Sequence, residues 1–207
     1  MANTNAPRGL SPVGTITGGA WNQQGQRFAI ASDGSNTYAI GDVVKLAGGS
    51  DTNGVAYVTK AASTDVPVGV IVGFQTAAYG ASLQGTTLAL NQVYLPLNSG
   101  LQYAVVVTDP NIIYEIETDS TGVAAANVGS NAGMTITSNQ TSLSMSSPLS
   151  STVLNSSSIV AQGTSGSLGL PLTIIGVRQD PSNTVGAYDN VQVIFNRHQY
   201  KQAQGTA

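Results

Sequence analysis

Cysteine is absent from the 207 residues and histidine occurs once. The first absence excludes disulfide frameworks, thiolate metal sites and cysteine nucleophiles together. The second excludes the His-rich constellations that hold zinc and iron. Charge is scarce as well. Seven Lys+Arg and ten Asp+Glu make up 8% of the chain, against roughly 25% in an ordinary soluble domain. A net charge of −3 and a pI near 4.7 leave no basic footprint for a phosphate backbone, so no nucleic-acid partner is expected. No apolar run approaches the roughly 18 residues of a membrane span, and no membrane partner is expected. Residues 1–7 show neither the cationic start nor the apolar run of a secretory signal. The expectation is a chain made and kept in the cytosol, or leaving the cell by some route other than secretion.

What is there argues against disorder. Disordered segments combine low hydrophobicity with high net charge, whereas 41% of this chain is hydrophobic and the mean hydropathy is +0.07. The surface must then be wetted by 22 Ser, 21 Thr and the many Asn and Gln. No charge lies between Asp65 and Asp109, or between Asp119 and Arg178. Neutral polar groups cost less to desolvate than charges, so such a surface suits a protein that packs against neighbours.

Short apolar runs bounded by Gly, Pro, Asn or Asp predict strands at 38–46, 55–59, 68–74, 86–95, 102–108, 112–118, 172–177 and 191–196. Alternation puts Ile112, Tyr114 and Ile116 on one face, with Glu115 and Glu117 on the other. The segment 66–74 is apolar on both faces and reads as a central buried strand. Asn53-Gly54 fits a hairpin tip that needs positive φ, and Asp109-Pro110-Asn111 another turn. Only 123–128 reads as helical, one or two turns capped by Ser120 or Thr121. Without βαβ alternation the fold class is all-β, a jelly roll, β-sandwich or small barrel. One domain over 14–200 is expected, with an extended arm at 1–13 and a flexible tail at 201–207.

The neutral stretch 132–170 carries spaced apolar residues: Met134, Ile136, Leu143, Met145, Leu149, Val153, Leu154, Ile159 and Val160. These suggest irregular strands and long loops ordered by contact, partly on a partner, rather than a linker.

Candidate chemistry is thin. His198 has no Gly-x-Ser-x-Gly elbow to serve, since Gly163-Thr164-Ser165-Gly166 has the wrong spacing, and it reads as a polar residue hydrogen-bonding across a surface. Glu115 and Glu117, the only glutamates, would stand about 7 Å apart on one strand face, inside the range of an inverting glycosidase pair. A solvated face, or charges that block edge pairing, is the better reading, and the single Trp21 lies far along the chain. Asp33-Gly34-Ser35-Asn36 and Asp51-Thr52-Asn53-Gly54 read as turns rather than calcium loops. No catalytic residue, cofactor site or metal site is expected.

Several segments, taken in order, resemble a known family. They are Asn3-Thr4-Asn5-Ala6-Pro7-Arg8-Gly9-Leu10-Ser11-Pro12-Val13, Gly41-Asp42-Val43-Val44-Lys45-Leu46, Pro67-Val68-Gly69-Val70-Ile71-Val72-Gly73-Phe74, Asp109-Pro110-Asn111-Ile112-Ile113-Tyr114-Glu115-Ile116-Glu117 and the closing Asn196-Arg197-His198-Gln199. Together they bracket nearly the whole chain and resemble small head proteins of tailed bacteriophages; the 132–170 stretch departs most. The resemblance implies a non-enzymatic capsid decoration, or cement, protein on the outer surface of the icosahedral head. Its partners would be the major capsid protein and further copies of itself, as a homo-dimer or homo-trimer. It implies an arm held extended by Pro7 and Pro12, with Asn5, Pro7, Arg8, Leu10 and Pro12 as capsid contacts, Arg8 the charge anchor and Leu10 the apolar one. Arg197, His198 and Tyr200 are second-choice contacts. The alternative is a tail-associated or receptor-binding β module that recognises a host-surface glycan; a β-sandwich glycosidase would rest on Glu115 and Glu117 alone.

Overall fold

The computed structural model describes residues 3–31, 34–75, 94–95, 101–144 and 148–201. Most of the expected strand 86–95, Met145, Asp33 and all of the tail but Lys201 lie outside the described residues.

The chain is all-β. Its strands are β1 (Ser11–Thr15), β2 (Gln26–Ile30), β3 (Tyr38–Ala39), β4 (Val43–Ser50), β5 (Ala56–Lys60), β6 (Gly69–Gln75), β7 (Tyr94–Leu95), β8 (Gln102–Val107), β9 (Ile112–Glu117), β10 (Asn131–Thr135), β11 (Val153–Val160), β12 (Leu172–Val177) and β13 (Asn190–Phe195). Five of them close a barrel in the order β2-β5-β4-β6-β8, and six form a second sheet in the order β1-β9-β13-β12-β10-β11. Strands β3 and β7 pair by themselves. The turn at Asp109, whose carboxylate accepts the Asn111 N–H at 2.9 Å, hands the chain from the barrel to the second sheet.

Because side chains alternate along a strand, a strand with two apolar faces can belong to two cores. Strands β4, β6 and β8 do this. Val44, Ile71 and Val106 point into the barrel with Phe28, Val58 and Phe74. Their chain neighbours Val43, Val70 and Val107 pack instead against Tyr114, Ile116, Val191 and Val193 of the six-stranded sheet. The doubly apolar 66–74 segment is thus β6, central between β4 and β8. Ile112, Tyr114 and Ile116 share the buried face of β9, as their alternation requires.

Two local expectations are corrected. The run 38–46 is not one strand: it breaks at Gly41, whose φ of +91° turns β3 away from β4. The helical segment is a single 3-10 turn, Ala125–Asn127, and neither Ser120 nor Thr121 caps it. The Ala124 N–H is satisfied by the Asn127 side chain at 2.9 Å. The hairpin tip at Asn53-Gly54 does join β4 to β5, with Gly54 at φ +78°.

Beside the break at Gly41 lies a buried ion pair. Lys60 Nζ stands 2.7 Å from Asp42 Oδ2, with each side chain 1% exposed. Asp42 Oδ2 also accepts the Ala39 N–H at 2.8 Å, and its other oxygen accepts the Ser150 hydroxyl. Lys60 donates further to the Thr137 carbonyl at 3.1 Å. Burial pushes the Asp42 carboxyl up, against the opposing pull of Lys60 and of these donors. The pair joins β5, the start of β4 and the neutral segment 136–152. That segment is also held by Gln140, whose backbone N–H donates to Thr37 Oγ1 and whose side chain donates to the Leu149 carbonyl.

Removing one partner of a buried pair leaves the other charge desolvated and unpaired. Asp42→Ala is therefore expected to cost about 3–5 kcal/mol, read from urea unfolding. The double change Asp42→Asn with Lys60→Met, which keeps the acceptor and removes the charge, is expected to cost less than Asp42→Ala alone.

Candidate interaction site: the N-terminal arm and the C-terminal segment

The resemblance directs attention to both ends of the chain. Residues 3–15 lie on the body of their own chain. The Asn3 side chain donates to the Thr184 and Ala187 carbonyls at 2.6 and 2.9 Å and accepts the Thr184 N–H at 2.9 Å. The Ala6 N–H is shared by both Glu117 oxygens at 3.2 and 3.0 Å. Arg8 Nη2 bridges Glu115 Oε2 at 3.1 Å and Asn190 Oδ1 at 3.2 Å. Strand β1 then pairs antiparallel with β9, Ser11 opposite Glu115 and Thr15 opposite Ile112, with a bulge between Pro12 and Gly14. The boundary expected between 13 and 14 falls inside this strand.

Between these contacts the arm crosses the turn at Gly41 at closest approach. The Leu10 N–H donates to the Gly41 carbonyl at 3.0 Å. A Cβ on Gly41 would sit 2.2 Å from the Arg8 carbonyl oxygen, and one on Gly9 2.3 Å from the Gly41 oxygen. Both glycines also have positive φ, so no other residue fits either place without moving the backbone.

The residues expected to meet the capsid differ widely in exposure. Leu10 is 1% exposed and belongs to the core shared with Tyr114 and Val43. Arg8 is one-third exposed and already paired. His198 is 3% exposed, not a surface residue. Its ring lies 6.0 Å from Phe195 and 5.9 Å from Tyr200, and its Nδ1 accepts the Tyr200 N–H at 3.1 Å. Asn5 is exposed, Pro7 and Pro12 are half-buried, and Tyr200 is exposed. Half-buried Arg197 donates to the Gly169 carbonyl at 3.2 Å. Among the described residues no hydrogen bond joins residues 3–15 to residues 196–201.

Glu115 and Glu117 are neither edge charges nor an open acid pair. Strand β9 lies between β1 and β13, and the arm covers its outer face. Glu115 sits between Arg8 and Arg178, the latter at 3.5 Å, and Glu117 is 2% exposed. Burial pushes the Glu117 carboxyl up, against the Ala6 N–H and Arg8.

Other carboxylates are used in the same way. Asp189, fully buried, accepts the Thr118 hydroxyl. Asp51 accepts Tyr103 Oη at 2.6 Å and closes the β4–β5 turn through the Asn53 and Val55 N–H groups. Asp119 accepts the Thr121 and Ser156 N–H groups, both at 2.9 Å. A cleft of ≈290 Å³ lined by Gln24, Gly25, Gln26, Thr108 and Asp109 holds one ionisable side chain. Among the described residues no three His, Asp or Glu side chains could hold a metal ion together.

Sequence reading missed Gln199. Its side-chain oxygen accepts the Leu46 N–H at 2.7 Å and its own N–H donates to the Pro67 carbonyl at 2.9 Å, pinning the C-terminal segment to the barrel. Nothing in composition or periodicity marks a glutamine for this; only its place in the closing Asn-Arg-His-Gln segment sets it apart.

No family model, curated protein or solved structure matches the chain.

Two measurements check this geometry. Glu117→Ala is expected to speed hydrogen exchange at the Ala6 amide, whereas Glu117→Gln, which keeps an acceptor oxygen, changes it little. Burial also pushes the His198 imidazole below its usual range. The unfolded chain therefore takes up a proton near pH 6.5 that the folded chain resists, and this part of the stability is full above that pH and falls as the pH drops toward the lower folded value. Unfolding midpoints of the wild type and of His198→Gln, compared at pH 7.5 and 5.5, are expected to show a smaller acid-side loss in the variant.

Proposed function

We propose that this chain is a non-enzymatic capsid decoration protein that binds the outside of a mature phage head as a homo-oligomer and clamps neighbouring major-capsid subunits. The observation that carries the reading is the charge-free span from 120 to 177. It builds β10, β11 and β12 and presents Leu168 at 80% exposure, with Val128 and Leu149 at 44% and 40%. Exposed apolar side chains among neutral hydroxyls and amides can be buried at little desolvation cost. The family resemblance of the segments at both chain ends points the same way.

The carboxylates support a structural role. Glu115, Glu117, Asp42, Asp51, Asp119 and Asp189 each fasten one part of the chain to another. A scaffold with its polar groups fixed this way can act by shape. If it binds the expanded shell more tightly than the procapsid, it stabilises the expanded state by that difference in affinity, summed over many sites. Contact with the capsid then falls to the exposed residues, Asn5 and Tyr200 among those named from sequence and Leu168 in addition, rather than to Leu10 or His198.

Electron microscopy of expanded phage heads lacking the protein, incubated with purified chain, tests the proposal. A regular lattice of added density on the shell is expected. Leu168→Ser is expected to weaken that binding about tenfold, the loss of one apolar contact of about 1.4 kcal/mol, without lowering the unfolding midpoint. Density confined to the tail would assign the chain to receptor recognition instead, and no density on the particle would overturn both.

A further inference from the structure

We propose that residues 3–15 exchange between copies of this chain, each arm filling on a second copy the groove that it fills on its own body. The inference rests on the homo-oligomeric part of the proposed function and names what joins the copies. Every anchor of the arm outside its own hairpin lies beyond residue 40: Gly41, Glu115, Glu117, Thr184, Ala187 and Asn190. The connection to those anchors runs through residues 16–25, which are exposed apart from half-buried Trp21. Ten residues can span at most about 33–36 Å when extended, so the arm can reach an adjacent molecule without disturbing β2.

Exchange makes no new contact between arm and groove, so the hinge decides the balance between closed and exchanged forms. This hinge favours opening on two grounds. Gln23 sits at φ +61°, a left-handed conformation that a side-chain-bearing residue adopts under strain and loses on extension. The closed form also buries one hinge donor with no acceptor, Trp21 Nε1, which is costly to leave unpaired. Gly18, Gly19 and Gly25 supply the freedom to rearrange. The groove itself is specific. Its contacts are directional hydrogen bonds to Asn3, Ala6 and Arg8, the glycine crossing at Gly41 and the slot for Leu10, so an arm of the same sequence is the occupant that satisfies all of them.

The absence of cysteine makes the test clean. Ser11 and Glu115 are direct partners across β1 and β9, and Asn3 meets Thr184 at the arm tip. The double variants Ser11→Cys/Glu115→Cys and Asn3→Cys/Thr184→Cys are oxidised and run on non-reducing gels, with each single variant as background. The oligomeric state is measured by light scattering. Disulfide-linked dimers or ladders as the main product, well above the single-cysteine controls, are expected from at least one pair. Intrachain links, or dimers no more abundant than in the controls, would overturn the exchange. Head binding measured in parallel separates the two readings. Intrachain links in a protein that still decorates heads remove the exchange alone, and interchain links in one that does not decorate remove the capsid role alone.

Discussion

A single desolvated ion pair, Asp42 with Lys60, sets the conditions that the surrounding chain has to meet. An ammonium and a carboxylate held at 2.7 Å with almost no water contact are tolerable only when their remaining hydrogen-bonding capacity is filled. The partners come from three places: the turn that ends at Asp42 supplies the Ala39 N–H, Thr137 a carbonyl, and Ser150 a hydroxyl. Thr137 and Ser150 have to return to the barrel for this to happen, which explains why these two residues of so neutral a stretch are held in place. The same turn requires Gly41, and Gly41 is where the N-terminal arm crosses. Barrel, neutral segment and arm therefore meet at one buried point.

Around that point the two sheets share strands rather than merely touching. Each of β4, β6 and β8 sends some side chains into the barrel and others into the core under the six-stranded sheet, β6 switching parity at the bulge between Ile71 and Gly73. Such strands cannot slip by one residue without carrying both sets of side chains to the wrong core. The outer face of β9, which a solvated sheet would leave to water, is instead roofed by the arm. Its two glutamates become fasteners, one shared by guanidinium groups and one closing on a backbone amide. The scarce charge of the chain is concentrated on holding it together, and the long spans with none are left for surfaces that lose water cheaply. That division of labour suits the proposed role in an assembly.

Much of the fold was legible along the chain, because burial on one face imposes a period of two that survives in sequence. The runs at 102–108, 112–118 and 172–177 are strands for that reason, and the doubly apolar 66–74 is central for the corresponding one. Strands β10 and β11 were legible only as irregular strands somewhere within 132–170: Asn131–Thr135 and the serine-rich Val153–Val160 owe their bounds to the strands beside them. The arm likewise looked like a contact for a neighbour, since proline spacing marks extension but cannot say what the extended chain lies on.

Composition and periodicity by themselves determined an all-β chain, its turn at Asn53-Gly54, its buried central strand and a surface poor in charge. These follow from local rules that each residue obeys wherever its neighbours are. Only the tertiary structure decided that Leu10 is core, that His198 is enclosed by Phe195 and Tyr200, that Glu117 closes on Ala6, and that Gln199 pins the chain end to the barrel. Each of those facts depends on a partner far away in sequence, and the character of a side chain does not reveal which distant backbone will come to meet it.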